Sequence, residues 1–495
     1  MMNLNSSLIK LKNRKEEQLQ KERQLSNRLD LFFILRHNIK QAGPFLVCLF
    51  FLLLTPCLSA QSFDDFFNLD INQESQYKNL YSRGIKVLLK YDEESANSLL
   101  DDLEEFSENN TTDKYLECRS HLLLAVINAR YENNFAAFKN FRKAFFIYRE
   151  YGSSNNKYDL AGGLMHITIS SVPEKFVWLT DLLGLKGNKE TGLTLLNNAT
   201  KRSDFVGQEA RLLYPLIANY LLNDQEIAKN LTEDYSLTTE LEKIVFIICN
   251  AKARGGQNIL NNLTKFTSTT KRLFPASNYL IGETFLRQGK YGTAREYLMK
   301  YKNELQSDEY LSACDLNIFL SYYLNGDYQK ANTFKSNLEK FSKKTEADRY
   351  ASKALNNYSF PPGNNELIWK LRLATDGGFD DLSGQIINTE PKFNLRSQTT
   401  EWNYRKARYY HSTNHIDKAQ KAYNITIDLQ QNNSWYYAPN SCIKLATILI
   451  NNKKYHEAKA YLVKAKSYKG NPYEESINYE ASILERQIND LINDL

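Results

Sequence analysis

The chain is expected to fold as an all-α, right-handed superhelical solenoid of helix hairpins. Three observations lead there. In the stretch 440–470, Leu445, Ala446 and Leu449 precede a polar break at Asn451-Asn452-Lys453-Lys454, and Ala458, Leu462 and Ala465 follow it. Apolar residues at i, i+3 and i+4 on both sides of a turn mark two short amphipathic helices. Ala446 and Ala458 lie twelve residues apart, at the two points where antiparallel helices approach most closely. The same spacing recurs along the chain, as stacking demands, because one hairpin cannot bury its own apolar face.

Small residues at two crossing points, with bulky fillers beside them, are the tetratricopeptide arrangement. In chain order, Gly84 and Ala96 come first, with Val87, Leu100 and Leu103 as fillers and Tyr91-Asp92-Glu93 at the turn. Ala125 and Ala137 follow, with Leu124, Phe141 and Ala144. Gly282 and Ala294 flank Gln288-Gly289-Lys290-Tyr291, with Phe285 and Leu298 beside them. The next unit has Asn325-Gly326-Asp327-Tyr328 before Ala331 and Tyr322 in place, but Phe319 stands at its first small position. A weaker unit covers Leu367–Glu390, turning at Asp376-Gly377-Gly378-Phe379. Ala407 and Ala419, with Tyr410, Asn414 and Tyr423, precede the 440–470 unit. Glycine or asparagine at these turns accepts the left-handed backbone that ends a helix. Beyond Tyr473, the residues Ile477, Ala481, Leu484 and Ile488 predict a closing helix over the exposed apolar end.

A chain of 495 residues exceeds what one compact core usually holds, so an array or several domains is expected. Ten prolines and twenty glycines suit helices. The net charge of +6 is concentrated at the start, where residues 1–43 carry nine Lys or Arg against four Asp or Glu. The rest is nearly neutral and gives no electrostatic case for nucleic-acid binding.

Residues 1–43 read as a basic N-terminal lead, or as a start site assigned too early. Residues 44–60 read as a signal peptide: Phe45 to Leu54 is a short apolar core, and Leu58-Ser59-Ala60 precedes cleavage before Gln61. An uncleaved anchor and lipidation at Cys57 are the alternatives, although Pro56 suits a lipobox poorly. Any membrane contact would come only through this segment. Residues 61–157 form N-terminal hairpins, 158–222 a distinct helical block, 223–400 central repeats, and 401–495 the C-terminal repeats with the closing helix. Cys118, Cys249, Cys314 and Cys442 are scattered without a CxxC, which predicts buried helix-face thiols and neither zinc nor a disulfide framework.

The 158–222 block breaks the rhythm. Gly162-Gly163-Leu164 leads to Ser170-Ser171-Val172-Pro173-Glu174, where Ser171 and Glu174 have capping-box spacing. Leu179, Leu182 and Leu183 predict an apolar face for the helix that follows, and Gly184-Leu185-Lys186-Gly187-Asn188 turns the chain toward Gly192-Leu193. The glycines would permit close helix approach. These motifs, and the run from Trp435-Tyr436-Tyr437-Ala438-Pro439 through Ala458, Ala465-Lys466 and Tyr473-Glu474-Glu475-Ser476, resemble the tetratricopeptide repeat protein 39 and inclusion-body-clearance family. The resemblance spans most of residues 75–490. It implies a helical repeat array that works as a non-enzymatic adaptor. Eukaryotic members are intracellular, so the export signal is a departure, and exported bacterial relatives are the nearer comparison.

No phosphate loop, GxSxG elbow, HExxH or EF-hand pattern occurs. His411 and His415 have the spacing of two ligands on a helix, but the register puts one at a helix end and the other in a turn. Asp64-Asp65, Asp101-Asp102 and Glu104-Glu105 read as exposed faces. No enzymatic activity, cofactor or metal is expected. In a repeat superhelix the first helix of each pair lines the concave side. The tetratricopeptide resemblance implies that Tyr279, Glu283 and Arg287, and then Tyr404, Arg408 and His411, face inward, with Arg405 and Lys444 at neighbouring phases. Tyrosine and arginine favour interface hot spots. The clamp known for C-terminal carboxylates is absent, its places holding Leu122, Val126, Ile443 and Thr447.

The expected function is an exported, protein-binding scaffold or adaptor in the periplasm or at the outer membrane. The second expectation is a glycan-binding outer-membrane surface protein of the starch-binding type.

Overall fold

A computed structural model describes residues 73–495 apart from 91–92, 111, 173–176, 223, 305–309, 339–341, 343–344, 358–363, 472 and 494–495. The basic lead, the signal peptide, Asp64-Asp65, the Tyr91-Asp92 turn, Pro173 and Glu174 lie outside the described residues. Among the described residues all regular structure is helical, with twenty-four α-helices. None of these helices is long and apolar enough to cross a membrane. The chain forms two compact units, Met1–Cys249 and Asn250–Leu495.

The first unit opens with α1 (Gln73–Lys90), α2 (Glu93–Asn109), α3 (Lys114–Arg130) and α4 (Asn134–Ile147). Helix α3 packs against α1, α2 and α4 and is buried on nearly every face, as a helix surrounded by helices must be. Asp113 caps it, accepting from the N–H groups of Tyr115 and Leu116. The small positions Ala96, Ala125 and Ala137 are sealed in the core. Helix α4 runs on into a π-helical turn, Tyr148–Gly152. Next come α5 (Asp159–Ser170), α6 (Val177–Leu182) and α7 (Lys189–Thr200). Helices α5 and α7 touch through glycine: a Cβ on Gly163 would lie 2.8 Å from Leu196, and one on Gly192 2.6 Å from Ile167.

Helix α6 departs from expectation. Of the residues expected on its apolar face, Leu182 stays 57% exposed, and Trp178 beside it stays 48% exposed. Nor does Ser171 start a helix: its hydroxyl donates to the Ile167 carbonyl at the end of α5. The unit continues with α8 (Phe205–Tyr220), α9 (Gln225–Asn230) and α10 (Glu240–Lys252), the last of which reaches the division between the units.

The second unit holds α11 (Gly256–Asn261), α12 (Ser268–Leu273), α13 (Ala276–Arg287), α14 (Tyr291–Asn303), α15 (Leu311–Tyr323), α16 (Tyr328–Ser336) and α17 (Glu346–Asn357). It ends with α18 (Asn364–Gly377), α19 (Asp380–Ile387), α20 (Arg396–Ser412), α21 (Ile416–Gln430), α22 (Tyr437–Asn451), α23 (Tyr455–Ser467) and α24 (Glu474–Asn493). The hairpins are α13/α14, α15/α16, α18/α19, α20/α21 and α22/α23. Each turns through one left-handed residue: Gly289 (φ 83°), Gly326 (φ 83°), Gly378 (φ 75°), Asn414 (φ 59°) and Lys453 (φ 59°). Ala294, Ala331, Ala407, Ala419, Ala446 and Ala458 are all buried, and a Cβ on Gly282 would come within 2.8 Å of Leu298. The fold is therefore all-α, built from tetratricopeptide-type hairpins packed in sequence order. Helix α24 closes the unit on α22 and α23, burying Ile477, Ala481 and Ile488.

Candidate partner-binding face

In the second unit the first helices of several hairpins touch one another: α13 against α18, α18 against α20, α20 against α22, and α22 against α24. Their shared face is rich in arginine and tyrosine. Three of these helices carry an acid–arginine pair at helical spacing, Glu283–Arg287 at 3.0 Å, Arg372–Asp376 at 3.8 Å and Glu401–Arg405 at 2.6 Å.

Arg405 sits at the centre, with its side chain only 3% exposed. It donates to Glu401 and, at 2.7 Å, to the Tyr436 hydroxyl, and it lies over the rings of Tyr404, Tyr436 and Tyr437. The Tyr437 hydroxyl donates to the other oxygen of Glu401 at 2.7 Å. Burial alone would raise the Glu401 pKa, but Arg405, the Tyr437 hydrogen bond and Arg372 outweigh it and hold the carboxylate below its usual range. Asp376 follows the same logic: burial opposes ionisation, and Arg408, Arg372, Arg405 and Arg287 together lower its pKa. Arg408 stands 2.8 Å from Asp376, while Arg372 donates to the Tyr350 hydroxyl and lies over Trp369.

Tyr279 is buried between Tyr301 and Tyr310. Glu283 and Arg287 pair with each other, and Arg287 also donates to the Ala251 carbonyl at 2.7 Å. Tyr404 is buried among Tyr423, Tyr436 and Tyr437. Tyr279, Tyr404 and Arg405 thus fill the seams between helices, so in this conformation the accessible part of the face is formed by others. Arg408 and Lys444 keep 34% and 39% of their side chains exposed. Lys444 lies 3.2 Å from Glu480 of α24. His411 Nδ1 lies 3.3 Å from the Tyr423 hydroxyl, and burial, with Lys444 nearby, lowers the His411 pKa. His415 pairs instead with Thr413 at 2.9 Å, so the two imidazoles have different partners. Among the described residues no group of three His, Cys, Asp or Glu is placed to hold a metal ion.

The structure therefore joins Arg405, Arg408, His411 and Lys444 along α20 and α22, and adds Arg372, Asp376, Glu401, Tyr436 and Tyr437, which were not singled out as site residues. The spacing signal for Arg372, Asp376 and Glu401 was present, in acid and arginine four residues apart on successive first helices, whereas Tyr436 and Tyr437 come from the start of the neighbouring helix and carried no such signal.

Among the described residues, Cys118, Cys249, Cys314 and Cys442 are free and buried. Burial pushes the Cys118 and Cys442 thiols up to about 12, far from the reactive thiolate range.

Comparison with known proteins places one family model on the chain, that of the tetratricopeptide repeat, over residues 439–472. That range takes in most of α22, the turn, all of α23 and the residues that follow it. A solved structure described as "Crystal structure of APC/C hetero-tetramer Cut9-Hcn1" matches over 86% of this chain and 92% of that chain, with 12% identity and a TM-score of 0.22. A TM-score that low carries no structural inference. No curated protein matches the chain.

Proposed function

We propose that this protein is a non-enzymatic, exported scaffold or adaptor that binds a protein or peptide partner in the cell envelope, in the periplasm or at the outer membrane. The observation that carries the reading is the arginine–tyrosine face across α18, α20 and α22, on a fold of tetratricopeptide hairpins. Such arrays offer successive first helices as an extended binding surface, and arginine and tyrosine supply contact area together with hydrogen bonds. Arg408, His411 and Lys444 are the contact residues, with Glu283 and Arg287 extending the face along α13. Tyr279, Tyr404 and Arg405 act from beneath, fixing the spacing of the helices that carry the others.

The motifs around Gly162-Gly163-Leu164 and Trp435-Tyr436-Tyr437 support membership of the tetratricopeptide repeat protein 39 family in an exported bacterial branch. The apolar stretch 45–54 before Ala60 supports export, and native protein should begin at Gln61. The test is a pull-down from the cell-envelope fraction with native protein and with an Arg408→Ala/Lys444→Ala variant. Both side chains are only partly buried, at 34% and 39% exposure, so the variant should stay folded, as a thermal melt checks, and lose one or more partners. An unchanged set of partners would sink the proposed face.

A further inference from the structure

Independently of that scaffold face, the first unit carries a groove of about 750 Å³ between α8, α9 and the 231–239 segment leading into α10. That volume lies in the range of small-ligand sites. Its walls are set by the sequence. Pro215 stands inside α8 and has no N–H, so the carbonyl four residues earlier, on Arg211, loses its helical donor. The Tyr235 hydroxyl takes the vacancy, donating to Arg211 O at 2.7 Å, and this fixes the Tyr235 ring in the groove wall. Glu242 accepts from Ser236 and from the Thr238 and Thr239 N–H groups, while the Glu242 N–H donates to Thr239 Oγ1. This reciprocal cap pins the segment, and buried Leu237 is held in a left-handed conformation, φ 56°. A non-glycine residue persists there only when its surroundings enforce it. The groove is thus formed before any ligand arrives.

The groups it presents define the ligand. Arg211 is spent on the Thr200 and Arg202 carbonyls, at 2.8 and 2.9 Å, and Glu242 on the segment. Gln208, Tyr214, Asn230 and Asp234 also line the groove, and their side chains make no hydrogen bond to the described residues. Asp234 and Glu242 disfavour an anion, so nucleotides and phosphates are poor candidates. Peptides are usually captured on a strand edge, in an apolar helix groove or by an arginine cluster. Among the described residues this groove has no strand edge and no arginine cluster, and the apolar side chains Leu212, Ile227 and Leu231 in its lining are interspersed with polar groups. Two amides, a hydroxyl and a carboxylate beside the rings of Tyr214 and Tyr235 suit a neutral ligand with many hydroxyls. Each amide gives and takes a hydrogen bond, a carboxylate accepts from neighbouring hydroxyls, and a tyrosine ring packs against the C–H face of a sugar.

We infer that this groove is a saccharide-binding site, with Gln208, Asn230 and Asp234 reading hydroxyl groups and Tyr214 and Tyr235 forming the platform. The test is a printed oligosaccharide array probed with the whole protein, followed by calorimetric titration of the best-retained glycan. Gln208→Ala/Asn230→Ala should weaken that binding about tenfold, as two neutral hydrogen bonds imply, with an unchanged thermal melt. Tyr214→Ala supplies an independent lesion should the double variant unfold. Arg408→Ala/Lys444→Ala should bind the glycan like the native chain, which separates this site from the scaffold face. Retention of no glycan, or equal retention by the groove variants, overturns the inference. So does displacement of the glycan by inorganic phosphate.

Discussion

Arg405 and Arg408 are three residues apart on one helix, yet they should behave oppositely when removed. Arg405→Ala leaves Glu401 without its main partner beneath the tyrosine cluster, and the expected cost is about 3 kcal/mol, as for other broken buried pairs. Arg408 keeps a third of its side chain exposed, and Asp376 retains Arg372 when Arg408 is lost, so Arg408→Ala should cost less, about 1 kcal/mol. Denaturant unfolding of the two variants checks this, and equal losses would mean that the cluster does not organise the face. Lysine should not rescue position 405, because a point charge cannot engage Glu401 and the Tyr436 hydroxyl together as the guanidinium fork does. At this scale the sequence was half legible. The tetratricopeptide resemblance implied that Arg408 and His411 face inward, with Arg405 and Lys444 at neighbouring phases. It did not distinguish a residue at the open surface from one in the seam between repeats, because that depends on the neighbouring helix. Hence Tyr279 and Tyr404 are packing residues, and Glu401 was visible only as half of a pair with Arg405.

The hairpin was the most legible element, because its constraint is steric and repeats. Small residues at the crossing points are sealed at Ala407 and Ala419 and at Ala446 and Ala458, and the left-handed residue falls at the same place in each turn of the second unit. Lys453 is the costly version of that residue: its side chain is exposed and its φ of 59° is one that glycine adopts without penalty. Lys453→Gly should therefore raise the stability of the second unit by about 0.5 kcal/mol, the gain being trimmed by added freedom in the unfolded chain. Lys453→Val should lower it by about 1 kcal/mol, and thermal melts read both signs. Short elements were the least legible. Leucine phase predicted an apolar face for α6, but Leu182 on that face stays 57% exposed, because phase alone does not say whether a neighbouring helix covers it. The groove at α8 was equally hidden, although Pro215 marked it, because the partner of the freed carbonyl lies twenty-four residues further on.

Over the whole molecule, each unit is a succession of neighbours rather than one centre, and in such arrays stability is a sum of local interfaces. Helix α24 illustrates this. It has the second unit on one side and exposes Tyr479 and Ile483 on the other, and the ion pairs Lys444–Glu480 and Lys466–Glu485 tie it to α22 and α23. An element held from one side has a mechanical meaning. If the C-terminus is pulled in an optical trap, α24 should peel away before any hairpin opens. The first rip would free its 20 residues, about 7 nm of contour length, and it should fall to lower force in a Glu480→Ala/Glu485→Ala variant. A single rip that releases the whole second unit at once would show that the fold shares load globally. Otherwise the array acts under tension as a zip, and α24 is its pull-tab.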